Sequence, residues 1–164
     1  MDALNRSDGS FDIALALVSE PDVAGLIEKH FDLMRRQSPP DACHVMSADG
    51  LAKAGTYLLV LRQNGAALAI GALRRLGKDS GEIKSMHTAR AVRGRGCARA
   101  LLRALISHAR AQKMTSLFLE TGSGDEHAAA RALYASEGFS DCPPFGNYSL
   151  HPLSVYMARD LTKT

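Results

Sequence analysis

The chain has 164 residues, of which 46% are hydrophobic and 23% charged, so it is long enough for one domain with its own core and has the balance of a soluble globule. A formal net charge of +3 is too mild to indicate a nucleic-acid protein by itself. No apolar run approaches the roughly 18 residues that cross a bilayer, and Met1-Asp2-Ala3-Leu4-Asn5 lacks the basic-then-apolar order of a signal peptide, so no membrane partner and a cytoplasmic location are expected.

Residues 1–10 are polar and expected to be flexible. A first strand is predicted over Phe11–Leu17, and Ser19-Glu20-Pro21-Asp22 then supplies an N-cap, an early acid and a proline for a helix running to about Arg35. Its apolar positions Val23, Leu26, Ile27, His30, Phe31 and Met34 recur at helical spacing, which makes His30 and Met34 packing or rim residues. Gln37-Ser38-Pro39-Pro40-Asp41 ends that helix, and a short one is predicted near Ala48–Ala52. A hairpin follows: Tyr57–Arg62, a turn with Asn64-Gly65 at the two positions that need positive φ, then Ala67–Leu76. After a turn at Gly77–Gly81 come a strand over Glu82–Thr88, a basic loop and a helix from Ala98 to about Lys113. Leu101, Leu102, Leu105, Ile106 and Ala109 form the apolar stripe of that helix, with its arginines expected in solvent. A strand at Ser116–Thr121, a helix from about Glu126 to Ser136 with Gly138 at C′, and strands near Phe139–Cys142 and Ser154–Asp160 complete the chain.

The richest segment is Arg93-Gly94-Arg95-Gly96-Cys97-Ala98, which opens the second long helix. The first N–H groups of a helix lack intrahelical partners and sit at the positive end of its dipole, so they favour an anion. Arg93, Arg95, Arg99 and Arg103 crowd that same end, where cations are unfavourable by a few tenths of a kcal/mol each, and a bound anion would relieve the conflict. A P-loop is excluded, because Gly77-Lys78 is followed by Asp79. The dinucleotide fingerprint G-x-G-x-x-G fits Gly94 and Gly96 but meets Arg99 at its third glycine, and Ala89-Arg90-Ala91-Val92 separate the loop from its strand. A dinucleotide-binding protein stays as the weaker alternative.

Arg93, Gly96 and Ala98 fit R-x-x-G-x-A, directly after a strand and before a helix. This segment resembles the acyl-CoA pyrophosphate loop of the GNAT N-acyltransferase superfamily. Leu117-Phe118-Leu119-Glu120-Thr121-Gly122 resembles that family's next strand, and Leu133-Tyr134-Ala135-Ser136-Glu137-Gly138-Phe139 resembles its closing helix end. The run Pro144-Phe145-Gly146-Asn147-Tyr148 with Pro152-Leu153-Ser154-Val155-Tyr156-Met157 resembles a bacterial subgroup of small members. The resemblance spans about residues 55–161. It implies an α/β (α+β) fold with a mixed, mostly antiparallel central sheet flanked by helices, and residues 1–164 as one acyl-CoA-dependent N-acyltransferase domain.

What it implies chemically is transfer of an acetyl group from acetyl-CoA to an amine of a small molecule or protein. The loop residues Arg93, Gly94, Arg95, Gly96, Cys97, Ala98 and Arg99 would hold the pyrophosphate, and the backbone of Met86, His87 and Thr88 would pair with the pantetheine arm as another strand. Tyr134 matches the family's acid for the leaving thiolate, a phenol of pKa about 10 serving a thiolate of about 8.5. Glu82 is the first choice for the base, with Glu120 and His87 behind it. His127 stands where many members carry an asparagine that contacts the carrier, seven residues before Tyr134. Tyr148, Phe145 and His151 are expected to border the acceptor pocket.

Cys43, Cys97 and Cys142 are odd in number and form no C-x-x-C pair, so reduced thiols and no metal are expected; Cys97 is read as packing at the helix start, with a reactive thiol as the alternative. A homodimer stays open, and no nucleic-acid partner is expected, since no aromatic residue accompanies the arginines of 93–103. The competing class is an acyl-CoA-binding module without turnover, which would have no use for Tyr134.

Overall fold

A computed structural model of the chain describes residues 10–163; the expectation for residues 1–10 lies, Ser10 apart, outside them. Among the described residues the strands are β1 (Asp12–Leu15), β2 (Thr56–Gln63), β3 (Ala66–Arg75), β4 (Ser80–Thr88), β5 (Ser116–Gly122), β6 (Ser140–Asp141) and β7 (Ser154–Asp160). They form one sheet in the order β1-β2-β3-β4-β5-β7-β6, antiparallel throughout except for β4 beside β5. Helices α1 (Pro21–Gln37), α2 (Ala48–Leu51), α3 (Cys97–Ala111) and α4 (Ala128–Ser136) flank it. This is the mixed, mostly antiparallel sheet that the resemblance implies.

Element ends differ from the predicted ones for local reasons. Helix α3 begins one residue early, capped by Gly96 at φ 85°, and stops at Ala111 because Lys113 turns left-handed at φ 64°. The approach to α4 is a short 3₁₀ turn over Asp125–His127, so the helix proper starts at Ala128. The predicted strand at 139–142 narrows to Ser140–Asp141.

Strand alternation divides the core in two. Leu58, Val60, Ile70 and Ala72 face α1 and pack on Val23, Leu26 and Ile27. Leu59, Leu61, Leu73, Leu117 and Leu119 face α3, whose Leu101, Leu102 and Leu105 are fully buried. Truncating one of those leucines to alanine would cost about 2–5 kcal/mol.

Two irregularities open the sheet. On β4, Lys84 pairs with Ala72 but His87 with Ile70, so one extra residue is accommodated, and Ser85 sits at φ 56°. The bulge reverses the alternation: Met86 joins the α3 core, and His87 emerges on the α1 side against His30. Where the bulge begins, the β4 and β5 ladder has already lapsed. These two strands pair only from Ser80↔Ser116 to Ile83↔Leu119, after which β4 keeps its pairing to β3 and β5 its pairing to β7. Among the described residues, the backbone of β4 from Lys84 onward therefore has an edge with no strand against it.

Candidate active site

The gap between the parting strands is occupied by two cavities. The larger, about 610 Å³, lies between α1, the end of β4, the 93–99 loop and α4. The smaller, about 140 Å³, lies on the α1 face of the sheet, under residues of the 38–45 and 143–153 segments. His30, Met34, Met86, His127, Ala130 and Tyr134 line both, so the cavities meet beside the Tyr134 ring.

The larger cavity gathers most of the expected loop. Met86, His87, Thr88, Arg93, Gly94, Gly96, Cys97, Ala98, Arg99 and His127 all border it. Gly94 and Gly96 hold φ of 80° and 85°, and no atom lies within 4 Å of where a Cβ would stand on either. Side chains are thus disfavoured by conformation at a spot where the backbone stands open to a ligand. No side chain caps α3, so its first N–H groups are left for an anion.

The arginines divide. Arg93 donates from Nε to the Thr88 carbonyl at 3.2 Å and so ties the loop to β4. Arg95 does not border the cavity; its guanidinium donates to Gln63 Oε1 at 2.8 Å. Nor do the α3 arginines keep solvent to themselves. Arg99 and Arg103 both pair with Glu137 beyond α4, with Arg103 Nη2 at 3.0 Å, so a protein carboxylate answers part of the charge that the sequence leaves to a ligand. Cys97 is 1% exposed and burial pushes its thiol pKa up, which supports packing over reactivity.

At the junction, Tyr134 is buried, its ring edge-on to Phe139 at 6.0 Å, and no hydrogen bond reaches its hydroxyl among the described residues. Burial first, and the Glu120 carboxylate second, hold its phenol well above the ordinary value, so it keeps its proton at neutral pH. His30 and His87 meet at 3.3 Å between their Nδ1 atoms. Burial pushes each down to about 4; a second cause is the partner imidazole for His30 and Arg93 for His87. Both are neutral at pH 7, and one Nδ1 must carry the shared proton. A proton affinity this low makes His87 a poor base at neutral pH.

The smaller cavity centres on Glu82, 2% exposed. Its Oε2 accepts from the Tyr148 hydroxyl at 2.5 Å and from Lys84 Nζ at 3.4 Å, and Lys84 also donates to the Tyr148 oxygen at 2.9 Å. Glu120, two residues past Phe118 on β5, borders the same space, and burial raises its pKa. Of the expected acceptor-side residues only Tyr148 lines the cavity. Phe145 packs on Phe118 and Tyr148 at 5.0 Å each, and His151 Nε2 meets Asp41 Oδ2 at 2.9 Å, so these two anchor the segment instead.

Sequence reading missed Lys84, His44 and Glu137. Lys84 had a signal, since two residues after Glu82 on one strand it must share that face. Glu137 and His44 had none, because their partners are remote in sequence.

A splayed sheet with an open β4 edge, a glycine-lined helix start and a cavity continuing to a buried phenol and carboxylate fit an acyl-transfer enzyme that takes an extended, anion-bearing acyl carrier. The comparisons agree. The acetyltransferase (GNAT) family matches over residues 24–139. The uncharacterized N-acetyltransferase YedL of Escherichia coli (strain K12) is 33% identical over 88% of this chain and 91% of its own, and the uncharacterized N-acetyltransferase YsnE of Bacillus subtilis (strain 168) 34% over 85% and 92%. A GNAT family acetyltransferase from Elizabethkingia anophelis, solved with acetyl-CoA bound, shares the fold at TM-score 0.68 and 16% identity, covering 94% of this chain and 99% of that one. The chain belongs to the acetyltransferase (GNAT) family and is an acyl-CoA-dependent N-acetyltransferase.

Proposed function

We propose that the protein, working as one domain, moves the acetyl group of acetyl-CoA to the amine of a small molecule or protein by direct attack, with Tyr134 as acid and Glu82 as base. The observation that carries this reading is the meeting of the two cavities at Tyr134. Acetyl-CoA supplies a thioester whose carbonyl carbon accepts the amine.

The loop amides around Gly94 to Arg99 and the Arg93 guanidinium favour the pyrophosphate. The open edge of Lys84–Thr88 offers main-chain partners to an extended pantetheine arm, a mode that asks little of side chains. His127 would donate to the carrier in place of the family's asparagine. From the smaller cavity the amine approaches; a C–N bond forms as the C–S bond breaks. The amine proton goes to Glu82, and the Tyr134 O–H gives its proton to the departing sulfur. A raised phenol pKa weakens that donor in water. The thiolate, however, leaves in the same dry site, where desolvation raises its own proton affinity.

Turnover is favoured over a non-catalytic carrier-binding module because the smaller cavity, which joins the carrier's at the Tyr134 phenol, is lined by the Glu82 carboxylate as well. The cytoplasm is the proposed location, with a homodimer left to the measurement of mass in solution. No metal, nucleic acid or membrane takes part in the proposed reaction. The test is thiol release from acetyl-CoA against a panel of amines, amino acids, polyamines and peptides. Release stimulated by an amine, with the acetylated amine found by mass, supports the reading. Tight acetyl-CoA binding without turnover on any acceptor would favour the binding module.

A further inference from the structure

We propose that Lys84 and Tyr148 are positioning residues for Glu82, holding its carboxylate ionised at the floor of the smaller cavity with Oε1 alone turned free for the acceptor's proton. The proposal rests on the reading of Glu82 as the base. Its footing is a closed triangle of hydrogen bonds: Tyr148 hydroxyl to Glu82 Oε2, Lys84 Nζ to the same oxygen, and Lys84 Nζ to the Tyr148 oxygen. Both contacts to Glu82 fall on Oε2, and Oε1 has no hydrogen bond among the described residues.

The arrangement answers a physical difficulty. The side chains of Glu82 and Lys84 are 3% and 9% exposed, and a lone carboxylate buried that deeply would take up a proton and be lost as a base. An ammonium on the same strand face, with a phenol donating to the charged form, reverses that tendency. The phenol is itself fixed. The Tyr148 ring stands edge-on to His44 at 4.9 Å and to Phe145 at 5.0 Å, with Tyr156 at 5.8 Å. Tyr156 in turn donates to the Ser149 carbonyl at 2.6 Å and His151 meets Asp41, while Phe145 packs on Phe118, so the 143–153 segment that walls the cavity is held after and before the residue that touches the base.

Other charges act on the triangle from the neighbouring elements. Glu120 on β5 opposes ionisation of Tyr148, while Arg74 on β3 favours it. His44 feels both Glu82 and Lys84, and His151 acts on His44 and Glu120. With Lys84 removed, Glu82 would face Glu120 with only the phenol in support.

The test reads Glu82 directly. In protein labelled with ¹³C at glutamate carboxyls, the resonance absent from Glu82→Gln is assigned to Glu82 and followed with pH in wild type, Lys84→Met and Tyr148→Phe. Its midpoint should move upward in Lys84→Met and by less in Tyr148→Phe. The acid limb of kcat/KM, measured as thiol release from acetyl-CoA with the best amine of the panel, should rise in the same order. Tyr148→Phe keeps the ring's packing and carries the test if Lys84→Met does not fold. Loss of release in Glu82→Gln with unchanged midpoints in the folded variants would overturn the positioning proposal alone. Full release by Glu82→Gln would overturn the base reading, and the proposal with it.

Discussion

The two cavities are built by opposite means. One wall of the larger, from Met86 to Arg99, offers main chain from neighbouring residues: the β4 edge after the bulge, two glycines with positive φ, and a start of α3 that no side chain caps; α1 and the 126–134 segment close it from the other side. The smaller is made of side chains from segments far apart in sequence, with Glu82 and Lys84 from β4, Glu120 from β5, His44 from the segment before α2 and Tyr148 from the segment before β7. A carrier common to a whole family can be gripped by backbone, which substitution leaves in place. An acceptor must be told apart from others, and only side chains differ enough to do so.

The sharpest way to break that division is at Tyr134, where the cavities join. Tyr134→Phe keeps the buried ring and its contact with Phe139 but removes the hydroxyl proposed as the acid. With an accepted amine and chemistry limiting, kcat should fall by about 10²-fold or more while the dissociation constant of acetyl-CoA hardly moves. A kcat within about threefold of wild type would assign the proton to water or another group.

The next effect belongs to the histidines between the regions. The unfolded chain binds protons near pH 6.5 that the folded His30 and His87 refuse until about 4. Their contribution is therefore fully present above pH 6.5 and is lost as the pH falls toward 4, by about 3 kcal/mol for each imidazole so shifted. Urea melts of His30→Gln across that window should show a flatter pH dependence than wild type. Parallel curves would mean that the pair does not govern acid stability.

Gly96→Val tests the backbone character of the larger cavity. At φ 85° a β-branched residue is strained by about 1–3 kcal/mol, and its side chain would stand in the open space above the helix start. Acetyl-CoA affinity by calorimetry should weaken by about tenfold or more in a variant that still folds. Unchanged affinity would move the cradle elsewhere, and binding of NAD with none of acetyl-CoA would restore the dinucleotide reading.

The same contrast explains what could be read from sequence. The loop that borders the larger cavity was legible because R-x-x-G-x-A gathers it into a few neighbours, and the hairpin and the α3 stripe because their periodicity is local. The bulge at Ser85 was not, since nothing marks a serine as the residue that takes φ 56°, and without it strict alternation puts His87 on the wrong face. The capture of Arg99 and Arg103 by Glu137 was hidden for another reason. It joins residues more than thirty apart, and only the packing of α4 beside α3 brings them together.

The smallest effect separates the arginines. Arg93 borders the larger cavity and Arg95 does not, although the sequence offers them as equals. Arg95 is exposed and spends its guanidinium on Gln63 of β2 at 2.8 Å, a contact between exposed groups worth little. Arg93→Ala should therefore weaken acetyl-CoA binding by about threefold, the scale of one solvent-exposed charge contact, and the loss should shrink as salt is raised. Arg95→Ala should change it by less than about twofold at any salt. Equal losses from the two variants would mean that Arg95 leaves Gln63 when the carrier arrives, and that the cradle draws on both guanidiniums rather than on Arg93 alone.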